Sequence, residues 1–200
     1  MRHRTGSLAR QFDQVCAVLE DLGYLRRGGV TAAGRILARI YAERDLVIAE
    51  CVRAGLWDAL APGALAQAVT ALVYEPRGEA RDEPERPGGA ARAVIAAQVQ
   101  AWERVAAREE ARGLPPSQGV EPQACALVGR WAAGQSLART LAGDLLSPGD
   151  FVRLVGRVVD VLDHVRAVAP NAQLHQAAQA AIGQLRRGVA SPEGMVSPAV

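Results

Sequence analysis

Residues 147–168 read SPGDFVRLVGRVVDVLDHVRAV, and the period of this stretch decides the fold. Ser147, Pro148 and Asp150 together make a helix start. The hydroxyl can cap a free backbone N–H, proline suits the first turn, and the acid lies at the positive end of the helix dipole. Phe151, Leu154, Val155, Val158, Leu162 and Val165 then recur in steps of three and four, which aligns them along one side of a helix. Arg153, Arg157, Asp160 and His164 step by four, three and four and form a second, polar stripe. Gly156 lies between the two arginines, off both stripes, where a small residue leaves room for close approach. The helix runs to about Val168, and Pro170 stops it.

The same period extends outward in both directions. A final helix spans about Ala172 to Arg187. Upstream, Cys125 to Ala133 reads as one helix and Ser136 to Leu146 as a shorter one. Ser7 to Leu22 carries a stripe of Leu8, Phe12, Val15, Cys16, Leu19 and Leu22, ended by Gly23. Gly23 to Thr31 suggests a short β-hairpin turning at Gly28-Gly29, and Thr31 can cap a helix through Ile36, Leu37 and Ile40. Asp45 is expected to cap a helix over Leu46 to Ala54, stopped by Gly55, and Pro62 to start one reaching Tyr74. A long helix, charged toward its end, follows over Ala90 to Arg112.

Strand patterns are almost absent, so the class is all-α: a multi-helix bundle with a small winged-helix remnant at its start. Residues 1–42 are read as that remnant (helix, short hairpin, helix) and 43–189 as the bundle. The charged, Pro/Gly-rich stretch 76–89 is expected to be a mobile loop, 113–123 a linker and 190–200 a disordered tail.

Composition narrows the chemistry. The 200 residues are 50% hydrophobic but only 4% aromatic, so the core must be mostly Ala, Leu and Val. With 23 basic and 21 acidic residues the net charge is +2, too small for a general polyanion-attracting field. Every cation is Arg; with no Lys there is no P-loop lysine, Schiff-base lysine or lysine base. Cys16, Cys51 and Cys125 are far apart and read as buried free thiols of a reducing compartment. His3, His164 and His175 share no metal-ligand spacing with them, so neither a metal nor a catalytic residue is assigned. No apolar run reaches the roughly 18 residues of a membrane span, and the N-terminus has no signal-peptide core, so a cytoplasmic protein is expected.

Several strings carry a family resemblance. They are Val30-Thr-Ala-Ala-Gly-Arg-Ile-Leu-Ala-Arg-Ile-Tyr41, Asp45 through Trp57, Leu60 through Arg77, Trp131-Ala-Ala-Gly134, Gly149 through Leu162, and Ala181 through Val189. In this order they resemble the C-terminal helical (DSHCT, or ratchet) domain of Ski2-like DExH-box RNA helicases, nearest to the actinobacterial HelY type. The resemblance covers roughly Ser7 to Val189. It implies a domain that sits on RecA-like motor domains and guides single-stranded RNA past them through a ratchet helix. Two ratchet-helix residues contact RNA in that family, and by position they fall on Arg157 and Asp160, with Arg153 and His164 on the same stripe. The resemblance implies single-stranded RNA and RecA-like helicase domains as partners. ATP and Mg would belong to those domains, because this chain has neither Gly-x-x-x-x-Gly-Lys-Ser/Thr nor Asp-Glu-x-His. A fragment, truncated gene or split product is therefore expected, non-catalytic by itself.

The physics of such a contact is straightforward. A guanidinium binds a phosphate bidentately or stacks on a base, and a neighbouring carboxylate accepts from a base amino group or a 2′-OH. Arg157 and Asp160 equally fit an ordinary solvated i,i+3 pair worth about 0.2–0.5 kcal/mol. Trp57 and Trp131 read as core, and Trp102, on the charged helix, as the open indole. Arg186-Arg187 fits either a phosphate contact or a basic last turn complementing the helix dipole. Two rival functions remain: a helical protein-interaction module, and a stand-alone winged-helix nucleic-acid-binding module. The second needs a basic recognition helix, and residues 8–22 offer Arg10 against Asp13, Glu20 and Asp21.

Overall fold

The structure, a computed structural model, describes residues 2–27, 29–76, 87–142 and 146–187, the side chains of residues 2–7 apart. The expected mobile loop 76–89 falls mostly, and the tail 190–200 wholly, outside the described residues. The described chain is all-α save for one tiny hairpin. Its elements are α1 (Arg2–Asp21), β1 (Leu25–Arg26), β2 (Gly29–Val30), α2 (Ala32–Leu37), α3 (Asp45–Arg53), α4 (Pro62–Val73) and α5 (Gly89–Ala111). A 3-10 turn (Pro122–Ala124) leads to α6 (Cys125–Ala132), α7 (Leu137–Thr140), α8 (Pro148–Val168) and α9 (Ala172–Leu185).

Helix α4 is the axis of the bundle, with α5, α6, α8 and α9 packed around it. Its sequence PGALAQAVTALV explains the position. Leu65, Ala66, Ala68, Val69, Thr70, Ala71, Leu72 and Val73 are all buried, so the helix is apolar on every side, and its alanines let neighbours approach closely. Thr70 satisfies its hydroxyl on the Ala66 carbonyl at 2.7 Å, and the buried Gln98 of α5 donates to the Ala68 carbonyl at 3.0 Å. Helices α8 and α9 form the most extensive pair, and Phe151, Leu154, Val155, Val158, Leu162 and Val165 of α8 all reach the core. Each such burial contributes roughly 1.5–3 kcal/mol.

The N-terminal elements join the bundle through polar ties. Gly23 ends α1 at a positive φ of 80°, with Tyr24 N–H donating to the Leu19 carbonyl at 2.8 Å. Strands β1 and β2 pair antiparallel in the register Leu25↔Val30 and Arg26↔Gly29. Gly29 is thus a strand residue rather than part of the turn, whose other expected residue, Gly28, lies outside the described set. The Tyr24 hydroxyl donates to Glu50 at 2.5 Å, Arg53 holds the other oxygen of Glu50 at 2.7 Å, and its guanidinium lies 5.2 Å from the Tyr24 ring centroid. Burial and the Glu50 contact push the Tyr24 phenol well above its ordinary pKa. Gly34 is required where α2 crosses the hairpin, since a Cβ there would collide with the Tyr24 carbonyl oxygen.

Several boundaries differ from expectation for local reasons. Helix α2 ends at Leu37, and Ile40 reaches the core from an irregular turn. Arg44, not Asp45, occupies the cap of α3; Asp45 is its first residue and accepts from Leu46 N–H at 2.6 Å. Arg44 has another use. Buried, with its pKa lowered by that burial, it donates to the Leu72 carbonyl (2.7 Å), the Gln118 carbonyl (3.1 Å) and Gln118 Oε1 (3.0 Å). These charge-assisted bonds hold the 113–123 segment against the bundle. Helix α7 covers four residues, far shorter than Ser136 to Leu146, although Ser136 does cap it, and residues 143–145 lie outside the described set. Helix α1 reaches back to Arg2.

Candidate nucleic-acid interface

Helix α8 is built as its period predicts. Ser147 Oγ accepts from Asp150 N–H at 3.1 Å and donates to Asp150 Oδ2 at 2.6 Å, closing the first turn. The core side faces α4 and α9, which turns the other side outward. Arg153, Arg157 and Asp160 are exposed and His164 is half-buried. A Cβ on Gly156 would meet no atom of the described residues within 4 Å, so the surface between the two arginines is open.

The four side chains of the stripe are held differently. Arg153 is tied to the cap, with Nη2 donating to Asp150 Oδ1 at 2.7 Å. Arg157 does not pair with Asp160; its Nη1 stands 3.7 Å from Glu75 Oε1, just beyond the end of α4. The Glu43 carboxyl of the α2–α3 turn lies close to Glu75, whose proximity and like charge hold it above its ordinary pKa, against the pull of Arg157 and Arg44. Asp160 has no ion-pair or hydrogen-bond partner among the described residues. His164 Nδ1 accepts from Tyr41 N–H at 3.4 Å, and the two rings meet edge to face at 5.5 Å between centroids. One surface therefore gathers two guanidiniums, a free carboxylate, an imidazole and an exposed phenol ring. Tyr41, Glu43 and Glu75 were not singled out in the sequence, because none lies on the period of α8. The one available signal is an aromatic residue in the irregular turn before Asp45.

Other sequence candidates resolve into structure. Trp57 and Trp131 are core, and Trp131 Nε1 donates to the Leu185 carbonyl at 3.0 Å. Trp102 is not an open indole: Nε1 donates to the Ser117 carbonyl at 2.8 Å, and Gly119 lies against its ring. Arg187 does not project as a phosphate contact. Its guanidinium lies 4.1 Å from the Trp131 ring centroid and donates to the Trp131 and Gln135 carbonyls, closing the end of α6. His175 Nδ1 meets the Arg166 carbonyl at 3.1 Å, and the side chain of His3 lies outside the described set. Cys51 and Cys125 are buried, which pushes both thiols up to about 12, whereas Cys16 is only half-buried. Among the described residues no helix is long and apolar enough to cross a membrane.

The family model for the DSHCT (NUC185) domain matches residues 27–191. The chain is 39% identical over 202 residues to a protein of Mycobacterium tuberculosis (strain ATCC 25618 / H37Rv) named "Probable helicase HelY", an alignment covering 92% of this chain and 22% of that protein. Its counterpart of the same name in Mycobacterium leprae (strain TN) is 37% identical over the same shares of each chain. The chain thus spans 22% of the length of the curated relatives it matches. With the family model matched over residues 27–191, the chain belongs to the DSHCT (NUC185) domain family.

Proposed function

We propose that this chain is the RNA-guiding helical domain of an ATP-dependent RNA helicase of the cytoplasm. Residues 1–42 serve as its winged-helix-like remnant and 43–189 as the helical bundle. Single-stranded RNA passes along the outward stripe of α8, and RecA-like motor domains, in cis or in trans, hold ATP and Mg and supply the work. One observation carries the reading: Arg153, Arg157 and Asp160 face solvent beside the open ground at Gly156, and Asp160 has no partner among the described residues. Arg157 takes a phosphate or stacks on a base, Asp160 accepts from a base or a 2′-OH, and Arg153 and His164 extend the contact to either side. Such a grip has little sequence preference and releases readily, which suits a moving strand.

Titration of labelled single-stranded RNA at low and moderate salt tests it. Binding should weaken with salt, and Arg157→Ala should weaken it further without altering the unfolding midpoint, because the side chain is exposed. Unchanged binding by that variant removes the assignment. A second reading, a pure protein-interaction module, is favoured by the bare apolar side of α1, where Leu8 and Phe12 are exposed. It requires no RNA affinity at any salt.

A further inference from the structure

We infer that Tyr41 is a nucleobase-stacking platform completing the α8 surface; the inference rests on the RNA-guiding reading above. Tyr41 is 76% exposed, the highest value among the exposed large hydrophobic residues described. A ring so placed contributes little to the core, yet its position is fixed from three sides. Ile40 before it is anchored in the core, and Arg44 after it is buried with three hydrogen bonds to Leu72 and Gln118. Between them the Tyr41 backbone N–H donates to His164 Nδ1, and the two rings make an edge-to-face contact. The turn is therefore a rigid mount that presents a phenol ring to solvent over the C-terminal half of α8.

The geometry suits a strand lying on α8. His164 and Arg157 are seven residues apart, about 10 Å along the helix axis at 1.5 Å per residue. A chain whose phosphate meets Arg157 can thus lay a base on Tyr41 while Asp160 sits between the two. Stacking asks for no particular base, since every base has a π-face. It also needs no net positive field, which this chain, at +2 overall and with Glu43 and Glu75 nearby, does not offer.

The test uses the full 200-residue chain and two labelled probes of equal length, an oligoadenylate RNA and an abasic strand. Tyr41→Ala should weaken oligoadenylate binding about ten-fold and leave abasic binding nearly unchanged, whereas Tyr41→Phe and Tyr41→Trp should keep wild-type affinity. Arg157→Ala should weaken both probes. If Arg157→Ala weakens binding and Tyr41→Ala does not, the platform is wrong and the RNA-guiding reading stands. Equal losses on both probes for Tyr41→Ala overturn stacking in favour of a purely structural role. If the wild-type chain binds neither probe, both readings fall.

Discussion

Helices α1 and α8 both carry apolar residues at steps of three and four, and they place them in opposite surroundings. Leu8, Phe12 and Val15 of α1 are 70%, 68% and 40% exposed, while Phe151, Leu154, Val155, Val158, Leu162 and Val165 of α8 are exposed by no more than 2%. The difference lies in the neighbours. Helix α8 packs on both α4 and α9, whereas α1 meets α5 and the hairpin, with Val18 buried near its end and Leu19 and, just past the helix, Leu22 packed on the core. A period of 3.6 specifies a helix and a side; burial needs a partner that the period does not name.

The largest expected effect tests that contrast directly. Leu162→Ala should cost about 2–5 kcal/mol of folding stability, the range for emptying a closed core site. Leu8→Ala should stay within about 0.5 kcal/mol of wild type, as ordinary surface changes do. Denaturant unfolding midpoints of the two variants measure both. Comparable losses would mean that the α1 side is covered in solution.

The same contrast shows what could be read in the sequence. Helix α8, with its capped start, core side and polar stripe, was legible because everything that defines it lies within the chain 147–168. The class followed for the same reason, as did the start of α2, where Thr31 accepts from Gly34 as a local cap does. What could not be read was set by contacts between distant residues. Arg157 reaches across to Glu75 instead of along its own helix to Asp160, and Trp102 is closed off by Ser117 and Gly119. Arg187 is folded onto Trp131, and the Arg44 guanidinium is turned inward to the Leu72 and Gln118 carbonyls. Tyr41 became visible only when the turn carrying it was placed against His164.

A smaller effect isolates the start of α8. Ser147→Ala removes the acceptor for Asp150 N–H and the donor to its carboxylate, and should lower stability by about 1 kcal/mol in the same unfolding measurement. Helix α1 has no acidic residue in its first turn to make such a closure.

The outward side of α8 supplies the next contrast, between a free carboxylate and one that holds a guanidinium. Glu75→Gln should release Arg157 and remove a negative charge from the path of the strand. RNA affinity at low salt should rise by up to about five-fold, the upper end for an exposed pair worth about 0.2–1 kcal/mol. Asp160→Asn should lower affinity instead, because Asp160 restrains no cation and its carboxylate serves only as an acceptor. Opposite signs for two acid-to-amide changes on one surface distinguish specific contacts from simple charge reduction, which would raise affinity in both; anisotropy titrations read the signs.

The smallest effect concerns the ion pair that, among the described residues, ties α1 to the bundle. Arg112, at the end of α5, donates through Nε to Asp21 Oδ2 at 2.7 Å and through Nη2 to Oδ1 at 2.6 Å. The hydrogen bond from Arg112, with the positive charge of Arg112 and Arg108, holds the Asp21 carboxyl below its ordinary pKa. A carboxylate lowered in this way contributes stability above its unfolded value, and the contribution is lost as pH falls through the folded one. Arg112→Ala should therefore lower the unfolding midpoint slightly at neutral pH, and the gap to wild type should close as pH drops below the usual carboxylate range. Added salt should narrow it at neutral pH as well, since both groups face solvent. The gap between Leu162→Ala and wild type should respond to neither. If the Arg112→Ala gap persists in acid and in salt, the aliphatic stem of Arg112 rather than its charge fastens α1, and α1 and α8 then differ in how much apolar surface they cover, not in the kind of force that holds them.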